Sequence, residues 1–277
     1  YLQTGYDAER QFVYAQNPFN QAYAGQVVYL GSNLNVAAFT TDRREFLGRH
    51  HSLASPQALE EALPGQTLGE WFKPGRENPV RLSGYVGAGH DSCAVLKVEL
   101  DLESGQRQHL VFYVAQAASI EQARESAPYL RSLRAWNENL ECVRRAWSAL
   151  TGAVQVQTPE RTFDLMVNGW LLYQTVACRL MGRSSFYQSS GAYGFRDQLQ
   201  DCLALLTADP DRAREQIRLH AGRQYAEGDV QHWWHPPLGQ GIRTRIADNF
   251  LWLPFAVDQY LTATGDQSLL DEQVPFL

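Results

Sequence analysis

The sequence predicts a multidomain β + α chain: an N-terminal antiparallel β-sandwich, a helical linker, then the first helices of an α/α barrel or toroid. Three observations carry this prediction. Up to about residue 116, apolar residues fall in short β-branched and aromatic runs broken by Gly, Ser and Asn. Near Ala117 the hydrophobic period changes from 2 to 3.6. From Thr158 onward, the chain reads as helices and loops with no strand signal between them.

In the first part, residues 26–30 (QVVYL) and 36–40 (VAAFT) are strand-like runs separated by a Gly-Ser-Asn turn. Residues 94–102 alternate, with Val95, Leu96, Val98 and Leu100 apolar against Lys97, Glu99 and Asp101. Glu103-Ser104-Gly105 then turns the chain and 109–114 (HLVFYV) returns, which predicts a hairpin. Residues 58–79, rich in Pro and Gly, read as a long connection. Ser119 is the expected N-cap of the linker helix, and Gln122 completes a capping box. That helix is expected over 120–150, with a break at Ser126-Ala127-Pro128. Trp136, Leu140, Val143 and Trp147 form its predicted buried stripe.

The helical part begins with a helix at about 160–180, with Leu165, Val167, Trp170, Leu171 and Val176 as expected buried positions. A second helix runs from Phe195 to Thr207 on a stripe of Leu199, Cys202, Leu203 and Leu206. Asp209-Pro210 stops it, and Asp211 opens a third that runs to about Tyr225. After a long loop, a fourth spans 248–262, and Gly265-Asp266 turns into a fifth. The predicted domains are therefore an N-terminally incomplete β-sandwich (1–116), a helical linker (117–157) and the N-terminal part of a truncated barrel (158–277). Four or five helices cannot close a barrel, and the chain starts without Met, so it reads as a fragment of a longer protein.

Of the 277 residues 44% are hydrophobic and 19% charged, as in a soluble protein with a real core. The net charge of −6 gives no basic footprint for nucleic acid. No signal peptide and no apolar run long enough to span a membrane occur. Cys93, Cys142, Cys178 and Cys202 have neither zinc spacing nor a disulfide framework, which predicts reduced thiols and a cytoplasmic location. Cys178 and Cys202 lie in apolar patterns and are expected to pack as small hydrophobes. No nucleotide loop, nucleophile elbow or kinase signature occurs, and neither cofactor nor metal is expected. Trp and Tyr gather near His, Arg and Asp, which suits a carbohydrate groove and equally an aromatic core.

Three constellations carry the chemistry. RSSFYQSSGAYGFRDQLQD, residues 183–201, brings Arg183, Tyr187, Arg196, Asp197 and Asp201 onto a loop and the helix that follows it. Asp197 and Asp201 lie one turn apart, off the apolar stripe, placed to bind hydroxyls or hold an arginine. Arginine suits phosphate because its planar fork binds oxyanions bidentately. The plain structural reading makes Arg183 a helix C-cap and Asp197 a carboxylate favoured by the helix dipole. The second constellation is EGDVQHWWHPP, where His232, Trp233, Trp234 and His235 occupy a predicted loop whose indoles can stack on sugar rings. Zinc on His232, His235 and Asp229 lacks both helical-pair spacing and a third ligand. The third is GIRTRIADNFLWL, with Arg243, Arg245 and Asp248 ahead of an apolar helix. Asp248 is equally read as its N-cap, or as the ion-pair partner of these arginines.

GFRDQLQD, EGDVQHWWHPP and LWLPFAVDQY resemble the inverting glycoside phosphorylases of glycoside hydrolase family 94, and TDRREFLGRH with LASPQALEEAL resembles their N-terminal β-domain. The resemblance covers nearly the whole chain. It implies a β-sandwich, a helical linker, an (α/α)₆ barrel and a small C-terminal β-domain. It implies that Asp197, with Arg196 beside it, binds the terminal glucose, and that Arg183 grips inorganic phosphate as co-substrate. Tyr187, Asp201, His232, Trp233, Trp234, His235, Arg243 and Asp248 complete the expected substrate-binding set. The loop before FRD lacks the additional arginine of the cellobiose and chitobiose enzymes, which favours the β-1,2-glucan branch. The family's general acid lies in a Trp-Asn-Asp-Gly motif, expected downstream of Leu277.

The implied reaction is phosphorolysis of a β-glucan, most simply a β-1,2-glucan oligosaccharide, to α-glucose 1-phosphate and a shortened glucan. Two alternatives stay open. One is a glucan-binding, chain-length-controlling domain of a cyclic β-1,2-glucan synthase, on the cytoplasmic side of a membrane. The other is a barrel hydrolase in which Asp248 activates water. A homodimer is one assembly the sequence allows.

Overall fold

The structure, a computed structural model, describes residues 1–62, 82–184 and 190–277. The predicted connection at 58–79 thus falls largely outside the described residues, and Tyr187 falls wholly outside them. The chain divides into two compact units, Tyr1–Leu140 and Glu141–Leu277.

In the first unit, β1 (Gln3–Asp7), β2 (Phe12–Gln16), β3 (Val27–Ser32) and β6 (Phe112–Ala117) form an antiparallel sheet in the order β1-β2-β3-β6. A second antiparallel sheet pairs β4 (Val36–Asp42) with β5 (Ser92–Val98). Short helices α1 (Arg43–Leu47) and α2 (Gln57–Ala62) follow β4. Alternation places Phe12, Val27, Tyr29 and Tyr113 on one face of the first sheet, where α3 (Ile120–Leu130) covers them with Ala123 and Ala127. Each buried aromatic or branched side chain there contributes roughly 1.5–3 kcal/mol. Arg124 of α3 reaches back to the buried Asp7 at 2.6 Å.

The predicted hairpin does not form. The turn exists, with Gln106 N–H donating to the Glu103 carbonyl at 3.0 Å, but β5 pairs with β4 and β6 with β3. Alternation marks a half-buried strand without naming its neighbour. Ser119 caps α3 as predicted, accepting from Gln122 N–H at 3.3 Å, while Gln122 Oε1 takes the Ala118 N–H at 2.7 Å. The break comes after Pro128 rather than at it: α3 runs to Leu130 and α4 begins at Leu133. The predicted stripe on α4 (Leu133–Gly152) is only partly buried, since Leu140 and Val143 are exposed.

In the second unit, one long helical segment comprises α5 (Arg161–Leu165), a π-helical stretch (Met166–Trp170), α6 (Leu171–Gln174) and a second π stretch (Thr175–Met181). The wider π turns shift the phase of the helix. Its core positions are therefore Leu172, Val176 and Leu180; Val176 is buried as expected, whereas Leu165, Trp170 and Leu171, also expected inside, are exposed. α7 (Phe195–Cys202) continues into a 3₁₀ turn at Leu203–Leu205. α8 (Pro210–Ala221) starts at Pro210 with Asp209 as N-cap, one residue earlier than a start at Asp211. α9 (Trp252–Thr264) ends on Gly265 in the left-handed region, φ 71°.

The helix-only expectation for this half is corrected by a three-stranded antiparallel sheet of β7 (Tyr193–Gly194), β8 (Val230–His235) and β9 (Gln240–Thr244). QHWWH is therefore strand, not loop. Phe195, Leu199, Leu205, Ile217, Val230, Trp234, Ala256 and Tyr260 are core side chains of this unit. Cys202 packs among them, and burial pushes its thiol up to about 12, while Cys178, expected to pack likewise, is exposed. No helix among the described residues is long and apolar enough to cross a membrane.

Candidate active site

The site is built where β7 turns directly into α7. Tyr193 and Gly194 pair with Trp234 and Trp233 of β8. Gly194 is the N-cap residue of α7, extended at φ −99° and ψ 137°, and Asp197 falls in the first turn. The Asp197 carboxylate folds back over Gly194. A Cβ at Gly194 would lie 3.0 Å from Asp197 Cγ and closer still to Oδ2. Only glycine allows this approach, though its φ would suit any residue.

Among the described residues, no side chain and no backbone N–H is paired with the Asp197 carboxylate. Arg196 donates to Asp248 at 2.8 Å, with its guanidinium 5.6 Å from the Trp252 ring centroid. This pair is half exposed, so it orients the guanidinium more than it stabilises the fold. Next to Asp248, the side-chain amide of buried Asn249 meets His232 Nδ1 at 2.6 Å. Trp233 lies edge-on to His235 at 5.2 Å, and both are partly exposed.

Other expected ligands take structural positions. Trp234 is 1% exposed, stacked on Tyr193 at 5.2 Å and edge-on to His220, so its faces cannot receive a sugar. Asp201 is held by Arg179 at 2.7 Å, and burial, reinforced by the charge of Asp197, raises its pKa despite that partner. Arg243 lies on β9 and forks onto Asp229 at 2.6 Å, with Glu227 at 3.1 Å, rather than pairing with Asp248. Arg183 is the left-handed residue, φ 49°, that ends the long helical segment. Its guanidinium donates to the Gly191 and Met181 carbonyls, each at 2.8 Å, and lies 4.7 Å from the Tyr193 ring centroid. Three of its donor positions are thus spent on, or close to, backbone, and Nη2 has no partner among the described residues.

Sequence reasoning passed over Arg179, Gln198, His220, Asn249 and Trp252. His220 is fully buried between Tyr193, Phe195 and Trp234, and burial pushes its pKa down to about 4. The readable signal was polar residues at helix-core spacing: Gln198 beside Leu199, and His220 three residues after Ile217. Among the described residues, no three His, Cys, Asp or Glu side chains group to hold a metal ion.

The arrangement puts an arginine oriented by Asp248 and an indole next to a carboxylate with no partner among the described residues, groups able to bind hydroxyls or oxyanions. Comparison with known proteins places the chain in a glycosyl hydrolase family. Residues 1–132 match the glycosyl hydrolase 94 supersandwich domain, and residues 146–277 match the glycosyl hydrolase 94 superfamily catalytic domain. The chain belongs to glycoside hydrolase family 94.

Among its relatives is a cyclic beta-(1,2)-glucan synthase of Rhizobium meliloti, 39% identical over 272 residues that make up 98% of this chain and 9% of the relative. A solabiose phosphorylase of Paenibacillus borealis is 27% identical, over 90% of this chain and 29% of the relative. An N,N'-diacetylchitobiose phosphorylase of Vibrio proteolyticus is 23% identical, over 90% and 32% respectively. The chain therefore spans a third or less of the length of these relatives.

Proposed function

We propose that these residues form one wall of a glycoside phosphorylase site. The reaction is inverting phosphorolysis of a β-glucoside, a β-1,2-glucan oligosaccharide by preference, to α-glucose 1-phosphate and a shortened glucan. The observation that carries the reading is the half-buried Asp197 carboxylate, which has no partner among the described residues while Asp201, Asp229 and Asp248 are each paired with arginine. In this role Asp197 accepts hydrogen bonds from the hydroxyls of the terminal glucose, and Trp233 and His232 wall the same pocket. Arg183 offers its remaining edge to phosphate, offsetting the repulsion between phosphate and the carboxylates.

A phosphate oxygen attacks the anomeric carbon as the glycosidic C–O bond breaks, and an acid outside the described set protonates the leaving oxygen. The β-1,2 preference draws on the synthase relative and on the small residues ahead of FRD. The hydrolytic alternative is weakened because Asp248, its candidate base, is committed to Arg196 at 2.8 Å. The test is product analysis on the full protein with β-1,2-glucan oligosaccharides, with and without inorganic phosphate. Glucose 1-phosphate is expected only with phosphate, and Asp197→Asn should lower turnover by about a hundredfold or more. Free glucose formed equally without phosphate would overturn the phosphorolytic reading.

A further inference from the structure

Gly194 is held from within the protein by a side chain that no sugar would touch. Gln198 is 2% exposed, and its amide spans two backbone groups. Its Oε1 accepts the Gly194 N–H at 2.5 Å, and its Nε2 donates to the Arg179 carbonyl at 3.2 Å. Both partners have a single hydrogen-bonding sense, so the amide has only one orientation that satisfies both. The Arg179 carbonyl is reached because the helix it belongs to ends in a π stretch. There Gly182 N–H returns to the Ala177 carbonyl at 2.9 Å and Ser184 N–H to that of Cys178 at 2.8 Å. Arg179 closes the ring by binding Asp201, one helical turn from Asp197, at 2.7 Å.

We infer that Gln198 is a positioning residue that aims the Asp197 carboxylate and locks it in register with the helix end bearing Arg183. The inference rests on the reading of Asp197 as the sugar acceptor. The chain of contacts is direct: Gln198 fixes the Gly194 peptide, and Asp197 lies on Gly194. Catalysis is sensitive to displacements of this order, since about 1 Å of misplacement costs roughly a hundredfold.

The experiment uses the full protein. Gln198→Met keeps the shape of the side chain and removes both hydrogen bonds. It should lower kcat/KM for glucan phosphorolysis by about tenfold or more, at temperatures where circular dichroism shows the variant folded. A core variant matched for thermal stability, Ile217→Val or Leu205→Ala, should retain its activity under the same conditions. Gln198→Glu supplies a second readout. Protonated, that carboxyl keeps both hydrogen bonds; ionised, it sets an oxygen against the Arg179 carbonyl. Activity relative to wild type should then rise as pH falls. The ionisable groups around the position are Arg179, Asp197 and Asp201, with His220 facing the Gly194 carbonyl at 3.3 Å.

Gln198→Met at wild-type kcat/KM, an equal loss in the matched core variant, or a flat pH ratio for Gln198→Glu would each overturn the inference. Asp197→Asn reports on the underlying reading separately. If that variant is crippled while Gln198→Met is not, the sugar-binding role stands and the positioning role fails. If Asp197→Asn is fully active, both fail.

Discussion

Gly194→Ala isolates the aim of the Asp197 carboxylate from almost everything else. The backbone at Gly194, φ −99° and ψ 137°, is open to any residue, so alanine adds no strain there. Such a replacement ordinarily stabilises by about 0.4–1 kcal/mol through the unfolded state. The three atoms nearest the added methyl all belong to the Asp197 side chain, whose Cγ and Cβ would lie 3.0 and 3.1 Å away with Oδ2 nearer still. Restoring ordinary contact at 3.4 Å moves that oxygen by about 1 Å. Misplacement of this size costs roughly a hundredfold in rate, which corresponds to about 2.7 kcal/mol of transition-state stabilisation. The assay is glucose 1-phosphate release by the full protein, with thermal unfolding measured alongside. We expect kcat/KM to fall about a hundredfold while Tm is unchanged or slightly raised. The double variant with Asp197→Asn should be no worse than Asp197→Asn alone, because both changes act through one carboxylate. Full activity of Gly194→Ala, or additive losses in the double variant, would refute the reasoning.

Trp234→Ala should destabilise the second unit by about 3–5 kcal/mol, measured by denaturant unfolding, because its indole is core. Trp233→Ala should leave stability nearly intact and raise KM for the glucan roughly tenfold. Burial raises the Asp201 pKa, so the folded state binds that proton more readily than the unfolded state does. Wild type should therefore gain Tm relative to Asp201→Asn as pH falls from neutral through the raised value towards 3.8, the ordinary value. Asp7 should behave oppositely: burial opposes its ionisation, but Arg124 and the Arg10 N–H outweigh burial and lower its pKa. The stability Asp7 contributes is present above 3.8 and lost as pH falls through the lowered value, so the Tm advantage of wild type over Asp7→Asn should shrink in acid. Arg183→Gly should relieve about 1 kcal/mol of left-handed strain while losing the carbonyl contacts, so Tm should move little. KM for phosphate should rise at least about tenfold in that variant; an unchanged KM would return Arg183 to the role of helix cap.

Arg196 and Asp197 stand out in the sequence because they are consecutive and follow a glycine-bearing loop, whereas the buried Gln198 next to them and the close approach of Gly194 to the carboxylate did not. What stayed hidden depends on pairing between distant segments. β7 has two residues, too few to show a period, and β8 carries an irregularity between Gln231 and Trp233 that breaks its alternation. A strand rich in Trp and His beside two prolines therefore read as a loop. The π stretches partly hid the core phase of the long helical segment: Val176 is buried as expected, but Leu165, Trp170 and Leu171 are exposed, and Leu172 and Leu180, not expected inside, are core. Arg243 and Asp248 looked like partners because they are five residues apart, whereas each pairs across the fold, with Asp229 and Arg196.

The pairing pattern separates scaffold from site more sharply than residue type does. Arginine and aspartate occur throughout 179–248, and by composition any of them is a candidate ligand. Arg179 with Asp201 ties the helix end to α7, and Arg243 with Asp229 staples β9 to the turn before β8. Removing one member of either pair leaves a charge behind, a cost that falls on the fold. Arg196 with Asp248 is half exposed and rests on an indole, so it orients a guanidinium at little energetic consequence. Asp197 differs from all of these. It is half-buried, one helical turn from the like charge of Asp201, and the glycine beneath it leaves room for its carboxylate. Its place in the first turn of α7 suits a carboxylate, but no partner among the described residues takes its hydrogen bonds. Under the proposed function a ligand supplies that partner, since sugar hydroxyls are donors and match what this carboxylate lacks among the described residues.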